Sequence, residues 1–158
     1  MIRLTKDEYV CLLALAASAR SEDPHTTVGA ALLDIYGNVL GTGTNGLSPG
    51  MKVPDWMYKQ ENRAQKANLM IHAEMSLWLR KKDGIEHTIG LTISPCSSCS
   101  KLIAASKIKN VLYLKNYERG DGEFRRIFDF YGISCRMLDI EEKSRIKAVL
   151  GGFLENSF

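Results

Sequence analysis

From Thr88 onward the chain alternates short apolar runs with stretches of helical spacing, and this alternation limits its fold more than any other feature. Thr88 to Ile93 and Asn110 to Leu114 read as strands, and Ser97 to Ser106 between them reads as a helix. Phe124, Ile127, Phe128 and Tyr131 then fall at i, i+3, i+4 and i+7 of a second helix. Ile133, Cys135 and Met137 alternate with Ser134 and Arg136 as a third strand, and a helix from Glu141 to Leu150 follows. Strands separated by one helix need crossover connections, so these strands are expected to be parallel and covered by helices.

The first half adds an antiparallel element. Thr5 and Glu8 form a capping-box pattern ahead of a helix reaching Arg20, with Tyr9, Leu12, Leu13 and Ala16 as its apolar positions, and Pro24 prevents its continuation. Val28 to Ile35 and Val39 to Thr42, joined through Tyr36-Gly37-Asn38, predict a hairpin. Gly41 to Gly50 reads as a loop, and Met51 to Ala67 as a loop leading into a helix. Ile71, Met75, Trp78 and Leu79 share one face of a helix that Gly84 ends. The expected fold is an α/β three-layer α/β/α sandwich with a mixed central sheet of about five strands.

At 158 residues the chain is expected to be one domain, residues 1–158. With 45% apolar and 25% charged residues it is neither disordered nor collagen-like. The absence of an apolar run of about 18 residues and the charged start, Arg3, Lys6, Asp7 and Glu8, predict a cytoplasmic protein without membrane contact. A formal net charge of +3 is too small to call for a nucleic-acid partner and leaves room for a small anionic substrate.

Chemistry concentrates at two helix starts, His72-Ala73-Glu74 and Pro95-Cys96-Ser97-Ser98-Cys99. One imidazole and two thiolates are donors that zinc prefers, and three protein ligands leave the fourth tetrahedral position for water, as in catalytic sites. His25 and His87 lie in other loops, and Cys11 and Cys135 occupy apolar positions, so no fourth ligand is evident. Helix N-termini favour thiolate at both Cys96 and Cys99. Glu74, in the first turn after His72, is placed to move protons for water attacking an electrophilic carbon. H-x-E with P-C-x-x-C is the pattern of zinc deaminases acting on cytosine or adenine. A redox C-x-x-C pair and a purely structural zinc are the competing readings.

Other motifs carry less. Gly41 to Gly46 matches G-x-G-x-x-G, but Ser48-Pro49-Gly50 denies it the helix that would receive a pyrophosphate. Arg80-Lys81-Lys82 and Arg125-Arg126 read as solvated helix faces. Trp56 and Tyr58 offer rings for base stacking, whereas Trp78 fits a core face.

Asp23 to Ala30, Thr44-Asn45-Gly46, His72 to Met75 and Ser94 to Cys99, with the region from Lys107 to Ile133, resemble the deoxycytidylate deaminase family of the zinc-dependent cytidine deaminases. The resemblance covers nearly the whole chain. It implies a cytidine-deaminase-like fold, a zinc cofactor on His72, Cys96 and Cys99, Glu74 as the catalytic proton shuttle, and hydrolysis of dCMP to dUMP and ammonia. It further implies that Asn45 bonds the sugar 3′-hydroxyl, Val28 packs on the pyrimidine, the Ala73 N–H meets the base, the Ser94 carbonyl receives the 4-amino group, and Tyr117 stands at the pocket wall.

The resemblance also implies a homo-oligomer, hexameric in many members, and in allosteric members effector control by dCTP and dTTP. Thr44 stands where the family usually has Tyr in the regulatory loop, Ser76 where it has Asn, and Gly50 where an Arg is frequent. No Cys or His lies between Asn45 and His72 to hold a second zinc, so one zinc is expected. The same metal motif serves deaminases of tRNA adenosine, guanine and cytidine. The free nucleotide is preferred because Asp23 to Ala30 and the C-terminal half carry the resemblance.

Overall fold

The computed structural model describes residues 2–120 and 122–157. Its order is α1 (Lys6–Ser18), β1 (Gly29–Asp34), β2 (Val39–Thr44), two 3₁₀ turns (Asp55–Tyr58 and Gln60–Asn62), α2 (Arg63–Leu69), α3 (Ala73–Arg80), β3 (Glu86–Ile93), α4 (Ser97–Ala104), β4 (Asn110–Lys115), α5 (Phe124–Tyr131), β5 (Ser134–Met137) and α6 (Ile140–Ser157). The five strands form one sheet in the order β2-β1-β3-β4-β5. β1 runs antiparallel to β2 and β3, while β3, β4 and β5 are parallel. The expected mixed five-stranded sheet is therefore observed.

Strand alternation sends side chains to two separate cores. Ala30, Leu32, Ile89, Leu91, Val111 and Tyr113 face α3, α4 and α5, where they meet Leu77, Ile103 and Phe128. Ala31, Leu33 and Leu112 face the opposite way, against Val10, Cys11 and Ala14 of α1 and Ile146 of α6. A sheet apolar on both faces must be covered on both, which makes the three layers. The capping box forms as expected: the Glu8 N–H donates to Thr5 Oγ1 at 3.2 Å, and the Thr5 N–H donates to Glu8 Oε2 at 2.6 Å. Gly132, at φ 66°, supplies the left-handed cap that ends α5.

Three expectations need correction. β2 runs past the expected strand end at Thr42, so Gly43 and Thr44 belong to the strand and not to a loop. A Cβ on Gly43 would lie 2.2 Å from the Ala73 carbonyl oxygen and 2.5 Å from the Leu77 nitrogen, so this glycine serves close helix–strand approach. The buried positions of α3 are Ala73, Glu74, Ser76 and Leu77, whereas Met75 is 42% and Leu79 80% exposed. Likewise α1 buries Val10, Cys11, Ala14 and Ser18 while Tyr9 is exposed, because Gly29 and Gly90 open the sheet to its backbone. Finally, α6 runs beyond Leu150 to Ser157. Among the described residues no helix is long and apolar enough to cross a membrane.

Candidate metal centre and substrate cleft

Two short helices start beside each other at one end of the sheet. His72 is the N-cap of α3 and Cys96 the N-cap of α4, both with extended backbone (φ −71°, ψ 152° and φ −74°, ψ 169°). Cys96 Sγ accepts the Cys99 N–H at 3.5 Å, so this thiol caps the helix that carries the other. α4 follows β3, and its start lies at the carboxyl ends of the parallel strands, where open α/β sheets place their ligands. A two-way backbone bridge between Gly46 and Ile71, at 3.1 and 2.8 Å, holds the Thr44-Asn45-Gly46 turn against the start of α3.

His72, Cys96 and Cys99 converge, with one donor atom from each lying within 4.8 Å of the others. His72 Nδ1 is 3.5 Å from Cys96 Sγ and 3.4 Å from Cys99 Sγ. A tetrahedral zinc with Zn–S near 2.3 Å and Zn–N near 2.0–2.1 Å requires an N to S separation of about 3.5 Å, so the donor set fits the metal. The Cys99 hydrogen bond, opposed by burial and helped by His72, brings the Cys96 thiol down to about 4. Cys99 is pushed up by the Cys96 sulfur beside it and by its own burial. A cation held between the two sulfurs reverses that repulsion and favours thiolate at both. The hydrogen bond to Cys96 raises the His72 imidazole, against its desolvation.

Glu74 is buried next to this centre, and burial pushes its carboxyl above the usual carboxylate range. The cleft in front of it is lined by Val28, Asn45, Ala73, Ser94 and Tyr117 as well as His72, Glu74 and Cys96. Every residue expected as metal donor, proton shuttle or substrate contact thus borders one cleft, except Cys99, which is fully buried. Ser94 Oγ accepts the Tyr117 N–H at 2.8 Å and so fixes where that ring begins. The Asn45 amide is committed inside the protein. Its Oδ1 accepts the Val28 N–H at 2.8 Å and the Ser21 hydroxyl at 2.5 Å, and its Nδ2 donates to the Thr26 carbonyl at 2.8 Å.

Sequence reasoning missed four charged wall residues, Asp23, Arg63, Lys66 and Arg119. Asp23-Pro24 was a usable signal for an Asx turn, but Arg63 and Lys66 lie in a stretch without apolar periodicity. Trp56, Tyr58 and Trp78 do not line the cleft, and Trp78 packs against the core. Arg125 sits 4.6 Å over the Phe124 ring and donates to the Tyr113 hydroxyl, while Lys81 pairs with Glu86 at 2.7 Å.

Comparison with known proteins agrees with this geometry. Residues 4–115 match the family model described as the cytidine and deoxycytidylate deaminase zinc-binding region. A deoxycytidylate deaminase of Mycobacterium phage D29 is 33% identical over 129 residues, 73% of this chain and 98% of the relative. A probable deoxycytidylate deaminase of Caenorhabditis elegans is 29% identical over 116 residues, 72% of this chain; the match spans 59% of that longer protein. The dCMP deaminase of cyanophage S-TIM5, solved with dCMP and dUMP, superposes with a TM-score of 0.63 at 22% identity, covering 84% of this chain and 96% of its own. The fold is therefore shared at low identity, and the match to the zinc-binding region runs through both metal-binding helix starts. This chain belongs to the cytidine and deoxycytidylate deaminase family.

Proposed function

We propose that the protein hydrolyses dCMP to dUMP and ammonia. The observation that carries this reading is a zinc-type donor set beside a buried carboxyl in a cleft that also holds cations, Arg63 and Arg119. Relatives over most of the chain are deoxycytidylate deaminases, which supports the same substrate here.

His72, Cys96 and Cys99 would hold the zinc, which would supply a Lewis acid that makes water nucleophilic near neutral pH. Glu74, whose carboxyl burial raises, would take one proton from the attacking water to the ring nitrogen and then carry that water's second proton to the departing amine, which leaves as ammonia. The Ala73 N–H, in the first turn of α3 where intrahelical partners are lacking, donates to the pyrimidine edge. The Ser94 carbonyl accepts the 4-amino group, Val28 covers the ring and Tyr117 closes the wall. Asn45 Nδ2 meets the 3′-hydroxyl in exchange for its longest bond, the 3.4 Å contact to Asp23 Oδ2. Arg63 and Arg119 receive the phosphate by charge-assisted hydrogen bonds.

The remaining parts of the reading are one domain over residues 1–158, a cytoplasmic setting that keeps Cys96 and Cys99 reduced, and a homo-oligomer whose mass light scattering reads. The reading includes no dCTP or dTTP control, because Thr44 stands where the family usually has Tyr in the regulatory loop.

The test is ammonia release from dCMP, CMP, deoxycytidine, dCTP, guanine and a tRNA by zinc-loaded protein. dCMP is expected first, with kcat/KM above deoxycytidine by about tenfold or more, the worth of one charged contact. Equal turnover of deoxycytidine or guanine overturns the nucleotide assignment, and reaction of tRNA alone points to a nucleic-acid deaminase.

A further inference from the structure

Lys66 and Asp23 form an ion pair within the cleft wall, with side chains only 3% and 7% exposed. Neither is a metal donor, and the proton chemistry at Glu74 does not require them. An ammonium withdrawn from water this far is tolerated only with a paired anion, and Asp23 is that anion. Its carboxylate is heavily shared. Asp23 Oδ1 also accepts the N–H groups of His25 at 2.8 Å and Thr26 at 2.9 Å, and Oδ2 receives Asn45 Nδ2 at 3.4 Å. Burial opposes ionisation of Asp23, but the ammonium and the two amides outweigh it and hold the carboxyl below its ordinary value.

The contacts run onward from α2 to the base-facing residues. One turn before Lys66, Arg63 Nη2 donates to Thr26 Oγ1 at 3.1 Å. The Thr26 carbonyl accepts from Asn45 Nδ2, and Asn45 Oδ1 holds the Val28 N–H. Lys66 therefore stands at the head of a hydrogen-bonded chain that ends at Val28. Its ammonium donates to Asp23, which takes one of its three N–H donors inside the wall.

We propose that Lys66 is a positioning residue: through Asp23 it clasps α2 to the loop of residues 21–28 and so sets where Val28 and Asn45 stand relative to His72 and Glu74, governing substrate affinity and not the chemical step. The functional half of this proposal rests on the reading of the cleft as a nucleotide site.

The test compares zinc-loaded wild type with Lys66→Met, Lys66→Arg and the double variant Asp23→Asn/Lys66→Met, which removes both charges while keeping an oxygen for the His25 and Thr26 amides. Hydrogen exchange at the amides of His25, Thr26 and Val28 is expected to quicken about tenfold in Lys66→Met and in the double variant, and to stay near wild type in Lys66→Arg. KM is expected to rise about tenfold for both dCMP and deoxycytidine, with kcat within about twofold and zinc at one per chain. Unchanged exchange, or a loss confined to kcat, overturns the clasp. A rise in KM for dCMP alone also overturns it and makes Lys66 a phosphate ligand. If wild type deaminates neither compound, the nucleotide reading fails while the exchange measurement still decides the clasp. If Lys66→Met does not fold, the double variant and Lys66→Arg carry the same comparison.

Discussion

Glu74 and Cys99 are separated in the chain by 25 residues, yet both are buried at one centre, where burial raises the Glu74 carboxyl and the Cys96 sulfur together with burial raises the Cys99 thiol. Removing the ionisable carboxyl while keeping its shape isolates proton transfer from metal binding. Glu74→Gln is expected to keep one zinc per chain by metal analysis while kcat falls by about 10²- to 10⁴-fold, the usual worth of a positioned general acid–base. Loss of zinc in that variant makes Glu74 a ligand and overturns the assignment of roles. The metal donors were legible in the sequence because a His and two Cys in H-x-E and C-x-x-C spacing have few other uses. Lys66 was not, because an isolated lysine in a polar stretch reads as a solvated side chain, and only the fold brings Asp23 to it from 43 residues away.

At the scale of elements, α3 delivers both His72 and Glu74, and its position depends on how closely it approaches β2. Gly41 and Gly43 permit that approach. A Cβ on Gly43 meets backbone atoms of α3, which cannot yield as a flexible side chain would. Gly43→Ala is therefore expected to push α3 outward, lowering stability by about 1–3 kcal/mol in denaturant unfolding, as overpacking does. Zinc retention in a chelator competition is expected to weaken with it. A variant with unchanged stability and unchanged metal retention would mean that the β2–α3 spacing is not what aims His72. This packing also explains why hydrophobic periodicity found Leu12, Leu13 and Trp78 at the edge of the buried faces of α1 and α3 but missed their centres. Ala14 and Ser18 of α1 and Ala73 and Leu77 of α3 are seated over strand glycines, while Tyr9, Met75 and Leu79 are exposed. A periodicity reading weights size and apolarity, and it has no term for a glycine in another element.

The molecule as a whole is tied end to end by charge. Arg145 on α6 donates to Glu8 Oε1 at 2.5 Å, with Glu8 fully buried on α1, and Arg136 on β5 pairs with both Glu142 and Asp7 at 2.8 Å. Burial opposes ionisation of Glu8, but the Thr5 and Arg145 hydrogen bonds leave its carboxyl below the usual value, and the Arg136 contact lowers Glu142. Carboxyls whose pKa falls on folding stabilise the native state fully above their unfolded value, about 4.3 for Glu, and that contribution is lost as pH falls through the folded value. Tm measured across pH 7 to 3 is therefore expected to hold until about pH 5 and then to drop, with a shallower acid limb in Glu8→Gln. An equally steep limb in that variant would show that the α1–α6 pair does not report on acid unfolding.

The same scale separates what the chain's order of residues determines from what only folding decides. Period and punctuation determine the elements, the crossover rule makes β3, β4 and β5 parallel, and the ligand motifs identify the metal centre, because each of these depends on residues close together in sequence. The residues that α1 and α3 seat over strand glycines, the strand role of Gly43, and the partnership of Lys66 with Asp23 are settled by tertiary structure. Each depends on a backbone or charge from a distant segment arriving within contact distance, and no local pattern encodes that arrival.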